Sequence, residues 1–66
     1  MFPNLLGQKA FHHLSNEDMG KIIGVTRAGF EKKIQSGRFS VEECRTYFRI
    51  FNKSFEFLFA LDTEVS

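Results

Sequence analysis

The side chains with the most chemistry to offer are gathered between Gly20 and Ser40. Five bases, Lys21, Arg27, Lys32, Lys33 and Arg38, stand there against one acid, Glu31, a local charge of +4. The 66-residue chain as a whole carries only +1. From Ser54 onward Glu56, Asp62 and Glu64 add −3 with no base. A local basic patch is what binding of phosphate needs, and the acidic end is expected to face away from such a ligand. The other reactive residue types point to no chemistry of their own. His12 and His13 are adjacent, whereas a helical metal pair needs i,i+3 or i,i+4 spacing, so a solvated or capping role is expected for them. Cys44 is the only cysteine. It has no disulfide partner, no zinc-type spacing and no activating histidine, and is expected to behave as a small buried hydrophobe. Paired carboxylates, a Ser/His/Asp set and a glycine-rich phosphate loop are missing from the pattern. The expectation is a non-enzyme without metal or cofactor.

Four of the five bases must be positioned by the stretch from Leu14 to Gln35, LSNEDMGKIIGVTRAGFEKKIQ. It reads as two short helices joined by a tight turn at Gly24-Val25. Ser15 caps the first, with Asp18 three residues on, and Thr26 caps the second. Met19, Ile22, Ile23, Val25, Phe30 and Ile34 are the apolar residues that pin the crossed pair to a core. Gly20 falls where the helices come closest, and Gly24 where a helix must stop abruptly. The outer face of the second helix then carries Arg27, Ala28, Gly29, Glu31 and Lys32. That is the layout of a helix-turn-helix, whose second helix is offered to the DNA major groove.

Further elements flank this unit. Pro3 suits the first turn of a helix running to about His13. Leu6, Ala10 and Leu14 recur every four residues along it, with Phe2 and Leu5 near one end. Ser36-Gly37-Arg38-Phe39 is the turn after the third helix. Ser40-Val41-Glu42-Glu43 is a capping box that opens a fourth helix of about Val41 to Asn52. Val41, Cys44, Tyr47, Phe48 and Phe51 mark its buried stripe. Ser54 caps a short fifth helix, Phe55 to about Leu61, that is apolar almost all round. Phe55, Leu58 and Phe59 are expected in the core with Phe57 half exposed, unless the helix is a dimer contact.

A chain of this length is one domain, taken as residues 1–61 with a tail at 62–66. It buries only about 60% of its unfolded surface, so a partner subunit would help it. Nine phenylalanines and no tryptophan supply the bulk of the core. No segment has the roughly 20 apolar residues of a membrane span. MFPNLLGQK lacks the basic and apolar regions of a secretory signal, and Met1 reads as a native start. A reducing cytoplasm is the expected location.

Over roughly Phe2 to Phe59 the chain resembles the Cro/phage-repressor (Xre-type) helix-turn-helix family. The resemblance is carried by the opening FPNL, the LSNEDMGKIIGVTRAGF core, SGRFSVEE and the closing IFNKSFEFLF. It implies an all-α, compact five-helix bundle of the lambda-repressor-like type, with the helix-turn-helix at helices 2 and 3. It also implies sequence-specific binding of operator duplex DNA as a transcriptional regulator, often as a homodimer. By position, the family's DNA-facing sites fall on Asn16, Thr26, Arg27, Ala28, Gly29 and Lys32. In chemical terms Asn16 and Thr26 would bind phosphate, Arg27 would pair with guanine O6 and N7, and Ala28 would touch a thymine methyl. Lys32 would reach a base or phosphate, and Lys33 and Arg38 a phosphate. Phe55, Phe57, Leu58 and Leu61 form the expected dimer interface.

The chain also departs from the family. Asn16 stands where glutamine is common, Gly29 where Ser or Thr is more usual, and Gly20 where alanine is more common. Glu31 puts a negative charge near the DNA face. It either pairs with Lys32, Lys33 or Arg27, or accepts from a cytosine amino group. A second function remains open, because fold does not fix function. The same scaffold could serve as a protein-interaction module, an antitoxin or a regulator of another repressor, working through its apolar C-terminal helix.

Overall fold

Hydroxyl side chains decide where most of the helices begin. The computed structural model describes residues 2–63, in five helices and no strand. These are α1 (Pro3–Phe11), α2 (Asn16–Ile23), α3 (Arg27–Ser36), α4 (Val41–Phe51) and α5 (Phe55–Leu58). Ser15, Thr26, Ser40 and Ser54 each accept from the backbone N–H three residues on, at 3.0, 3.0, 3.1 and 3.1 Å. At α2 and α4 the box is reciprocal. Asp18 Oδ2 and Glu43 Oε1 accept from the N–H groups of Ser15 and Ser40, both at 2.9 Å. Each such cap stabilises its helix by about 1 kcal/mol. α1 has no side-chain cap and starts instead on Pro3.

The ends of α1 and α2 close in the same way with different residues. The N–H groups of Gly24 and Val25 reach back to the carbonyls of Lys21 and Gly20 at 3.2 and 2.8 Å, with Gly24 left-handed at φ 79°. After α1, His13 and Leu14 reach back to Ala10 and Lys9 at 3.1 and 2.9 Å, and His13 takes the left-handed role at φ 57°. The first helix therefore stops at Phe11, two residues before the expected His13.

Packing at the centre rests on Leu5, Met19, Phe30, Tyr47 and Leu58, all at most 1% exposed. Phe2 and Phe51 complete the buried cluster. Tyr47 Oη donates to the Met19 carbonyl at 2.7 Å, tying α4 to α2. Phe39, read in the sequence only as part of a turn, is the hub of the aromatic packing. Its ring meets those of Phe2, Phe30, Tyr47 and Phe59 at centroid distances of 6.0, 6.4, 6.0 and 5.5 Å. Such tilted ring pairs each add a fraction of a kcal/mol to about 1.5 kcal/mol beyond area burial.

Several expectations need correction. On α1 the buried residue is Leu5, while Leu6 is half-buried and Ala10 exposed. On α4 the stripe begins at Cys44, because Val41 is the first helical residue after the cap and is 71% exposed. α5 ends at Leu58, since Phe59 leaves helical geometry at φ −107°, and Leu61 lies beyond the helix. Phe55 is exposed, not core. Leu58 is fully buried and so cannot face a partner; it belongs to the core of this chain. Asn4 Nδ2 donates to the Phe57 carbonyl at 2.9 Å, holding α5 against α1. Of the expected tail, residues 62 and 63 form a turn and 64–66 lie outside the described residues.

Candidate nucleic-acid interface

The α2–turn–α3 unit owes its closeness to Gly20. A Cβ built there would lie 2.7 Å from the Val25 carbonyl oxygen and 2.8 Å from that of Thr26. Both are backbone atoms, so no side-chain rotation makes room. With the two helices held this near, their N-termini present side chains to each other. Asn16 opens α2 and Arg27 opens α3.

Glu31, one turn into α3 from Arg27, joins them. Its Oε2 accepts from Asn16 Nδ2 at 2.9 Å and from Arg27 Nε at 3.0 Å. The hydrogen bond from Asn16, and next that from Arg27, holds the Glu31 carboxyl below the usual carboxylate range. Of the ion pairs open to Glu31 in the sequence, the one with Arg27 is present. The Arg27 side chain remains 69% exposed. Among the described residues no acceptor is bonded to its Nη1 or Nη2.

Lys9 joins this cluster from α1. An open cleft of about 340 Å³ is lined by Lys9, Ser15, Asn16, Glu17 and Arg27. A second, lined in part by Lys9, Asn16, Glu31 and Gln35, continues along α3. Sequence reasoning missed Lys9 and Gln35. Gln35 was accessible to it, because it follows Glu31 at i+4 on one helix face. Lys9 was not, because only the folded chain brings α1 to the cleft shared with Asn16, Glu31 and Arg27.

The remaining expected residues divide. Ala28 and Lys32 are exposed at i,i+4 spacing on α3. Thr26 is exposed, but its hydroxyl is used by the cap, accepting from the Gly29 N–H. Gly29 is half-buried, and a Cβ there would meet Thr26 Oγ1 and Val25 Cβ at 3.3 Å each. Arg38 is exposed in the α3–α4 connection. Lys33 sits apart from the Glu31 cluster. Its Nζ pairs with Glu43 Oε2 at 3.1 Å, with the two side chains only 28% and 15% exposed. It thereby docks α3 onto the capping box of α4. Burial pushes the Glu43 carboxyl up, but hydrogen bonds from the Ser40 N–H and Lys33 outweigh it and hold the group below its usual range.

On the expected dimer face, Phe55, Phe57 and Leu61 are 51%, 41% and 42% exposed. The Lys53 ammonium lies 5.8 Å from the centre of the Phe57 ring. Phe11 and Ile50 are also exposed, at 74% and 53%, and no sequence pattern singled them out. Among the described residues no group of three His, Cys, Asp or Glu side chains is placed to hold a metal ion. No helix there is long and apolar enough to cross a membrane. Comparison with protein-family models, with characterised proteins and with solved structures finds no match to this chain.

Proposed function

We propose that the protein binds duplex DNA sequence-specifically as a transcriptional regulator, with α3 in the major groove. The observation that carries this is the α2–turn–α3 unit itself. Gly20 and Gly24 set it tightly, and it turns Arg27, Ala28 and Lys32 of α3 outward, with Glu31 partly exposed beside them. Arg27 offers its terminal nitrogens to guanine, Ala28 a methyl contact to thymine, and Lys32, Lys9 and Arg38 positive charge to the flanking phosphates. Phe55, Phe57 and Leu61 are the residues on which a second copy would dock to match a two-fold operator.

The test is fluorescence anisotropy against duplex DNA from upstream of the gene, with a random duplex beside it, at several salt concentrations. Tight, salt-sensitive binding that prefers the upstream fragment is expected, its slope giving the number of phosphates neutralised. Equal weak binding to both, or none, would instead favour a protein-interaction module. The observation behind that second reading is the exposed apolar set Phe11, Val41, Ile50, Phe55 and Phe57.

A further inference from the structure

We infer that Glu31 is a positioning residue that makes Arg27 a reader of guanine, rather than a general phosphate contact. This rests on the DNA-binding reading above. Arginine on a helix surface has many rotamers and can reach phosphates as easily as bases. Here Nε is taken by Glu31 Oε2 at 3.0 Å, and the same oxygen is anchored from the other helix by Asn16 at 2.9 Å. The stem of Arg27 is thereby fixed. The guanidinium edge that carries Nη1 and Nη2 is left to the outside, with the side chain 69% exposed. Two parallel N–H donors are the complement of guanine O6 and N7 in the major groove. The carboxylate contributes in a second way. A negative charge beside Arg27 repels the phosphate backbone and lowers affinity for duplex DNA of any sequence. Non-specific binding is weakened while the guanine contact is kept, and both effects raise discrimination.

The triad joins three chain positions that are each unremarkable in isolation. Asn16 is the first residue of α2, Arg27 the first of α3, and Glu31 follows Arg27 at i+4. Only the close packing of α2 on α3 lets one carboxylate oxygen serve both. The pair is exposed, so it contributes little to stability and its removal leaves the fold in place.

The experiment is selection from a pool of random-sequence duplexes with the wild-type chain. Anisotropy then compares the selected duplex with a random one for wild type, Glu31→Ala, Glu31→Gln, Arg27→Ala and the Arg27→Ala/Glu31→Ala double variant. Wild type is expected to enrich a site with a guanine whose replacement matters. Glu31→Ala should lower the ratio of selected to random affinity by on the order of tenfold. Its affinity for the random duplex should hold or rise. Glu31→Gln, which keeps an acceptor oxygen, should recover part of the ratio. In the Arg27→Ala background, Glu31→Ala should cost no further discrimination. If wild type selects a site and Glu31→Ala keeps its guanine preference, the inference is wrong and DNA recognition stands. A parallel loss of both affinities with a lowered melting temperature would make Glu31 merely structural, and would also overturn it. If wild type selects nothing, both the inference and the DNA-binding reading fall.

Discussion

His13 holds a left-handed conformation that costs a non-glycine residue roughly 1–2 kcal/mol. It does so at the end of α1, where its N–H and that of Leu14 cap the last carbonyls. Glycine at the equivalent place after α2 meets no such penalty. His13→Gly should therefore stabilise the domain, by roughly 0.5–1 kcal/mol once the extra freedom of glycine in the unfolded chain is subtracted. Urea melts of the two proteins would show it, and an unchanged or lower midpoint would mean that the imidazole has a role of its own. Tyr47 makes the opposite case, a polar group whose burial is compensated. Burial, helped by the nearby charge of Glu43, raises its hydroxyl well above the usual tyrosine range. The neutral form is thus favoured in the fold, while the unfolded chain ionises near pH ~10. Stability that depends on it is complete below that pH and is lost as pH rises further. Tyr47→Phe should lower stability at pH 7 by about 1–2 kcal/mol, through loss of the bond to Met19. It should also flatten the alkaline decline, which melts on either side of pH ~10 would reveal.

At the scale of elements, Gly20 decides how α2 and α3 meet. Alanine would raise helix propensity by about 1 kcal/mol. Its methyl would press on the carbonyls of Val25 and Thr26, and overpacking of that kind costs typically 1–3 kcal/mol. Gly20→Ala should be net destabilising, whereas Gly7→Ala, with open space around it, should stabilise by up to about 1 kcal/mol. A thermal melt in which Gly20→Ala matches or exceeds wild type would show that the α2–α3 approach is softer than its geometry. The capping boxes make a further prediction. Asp18 is held below its usual range first by the Ser15 N–H, and Glu43 by the Ser40 N–H and Lys33 against its burial. Carboxyls depressed in the fold stabilise it above their unfolded values, and that stability is lost as pH falls through the folded ones. Melting should be level near neutrality and fall below pH ~5, more shallowly in Glu43→Gln, which removes one of the two depressed carboxyls. The starts of α2 and α4 were legible because a hydroxyl followed by an acid at the third position is a local signal, and those of α3 and α5 from the capping hydroxyl alone. The end of α1 was not, since a histidine in a left-handed turn breaks the composition rule that glycine obeys. Nor was the hub role of Phe39, which depends on rings from the residue before α1, from α3 and α4, and from the segment after α5 meeting in space. In the candidate site, the helix starts put Asn16 and Arg27 at the heads of α2 and α3, and the family resemblance singled both out. That one carboxylate joins them, and that Lys33 is drawn away to Glu43, followed only from the packing.

The whole molecule turns on which apolar residues fold it and which are left over. A domain this small has a stability of only several kcal/mol, so a single core truncation can unfold it. Leu58 and Phe57 are neighbours on α5 with opposite environments. The first is fully buried, while the second is 41% exposed under the ammonium of Lys53. Leu58→Ala should cost about 2–5 kcal/mol and leave the chain largely unfolded or close to it. Phe57→Ser should lower the melting of the isolated chain far less than Leu58→Ala does, since part of the ring faces solvent. If a second copy docks on Phe55, Phe57 and Leu61, that variant should sediment as a monomer at concentrations where wild type does not. It should also lose affinity for a two-half-site duplex while keeping affinity for one half-site. Sedimentation of both proteins at micromolar concentration decides the matter. A wild type that is already monomeric removes the dimer at this face. A Phe57→Ser protein that unfolds with Leu58→Ala would place Phe57 in the core instead, and leave the exposed Phe11, Val41 and Ile50 as the remaining apolar surface for a partner.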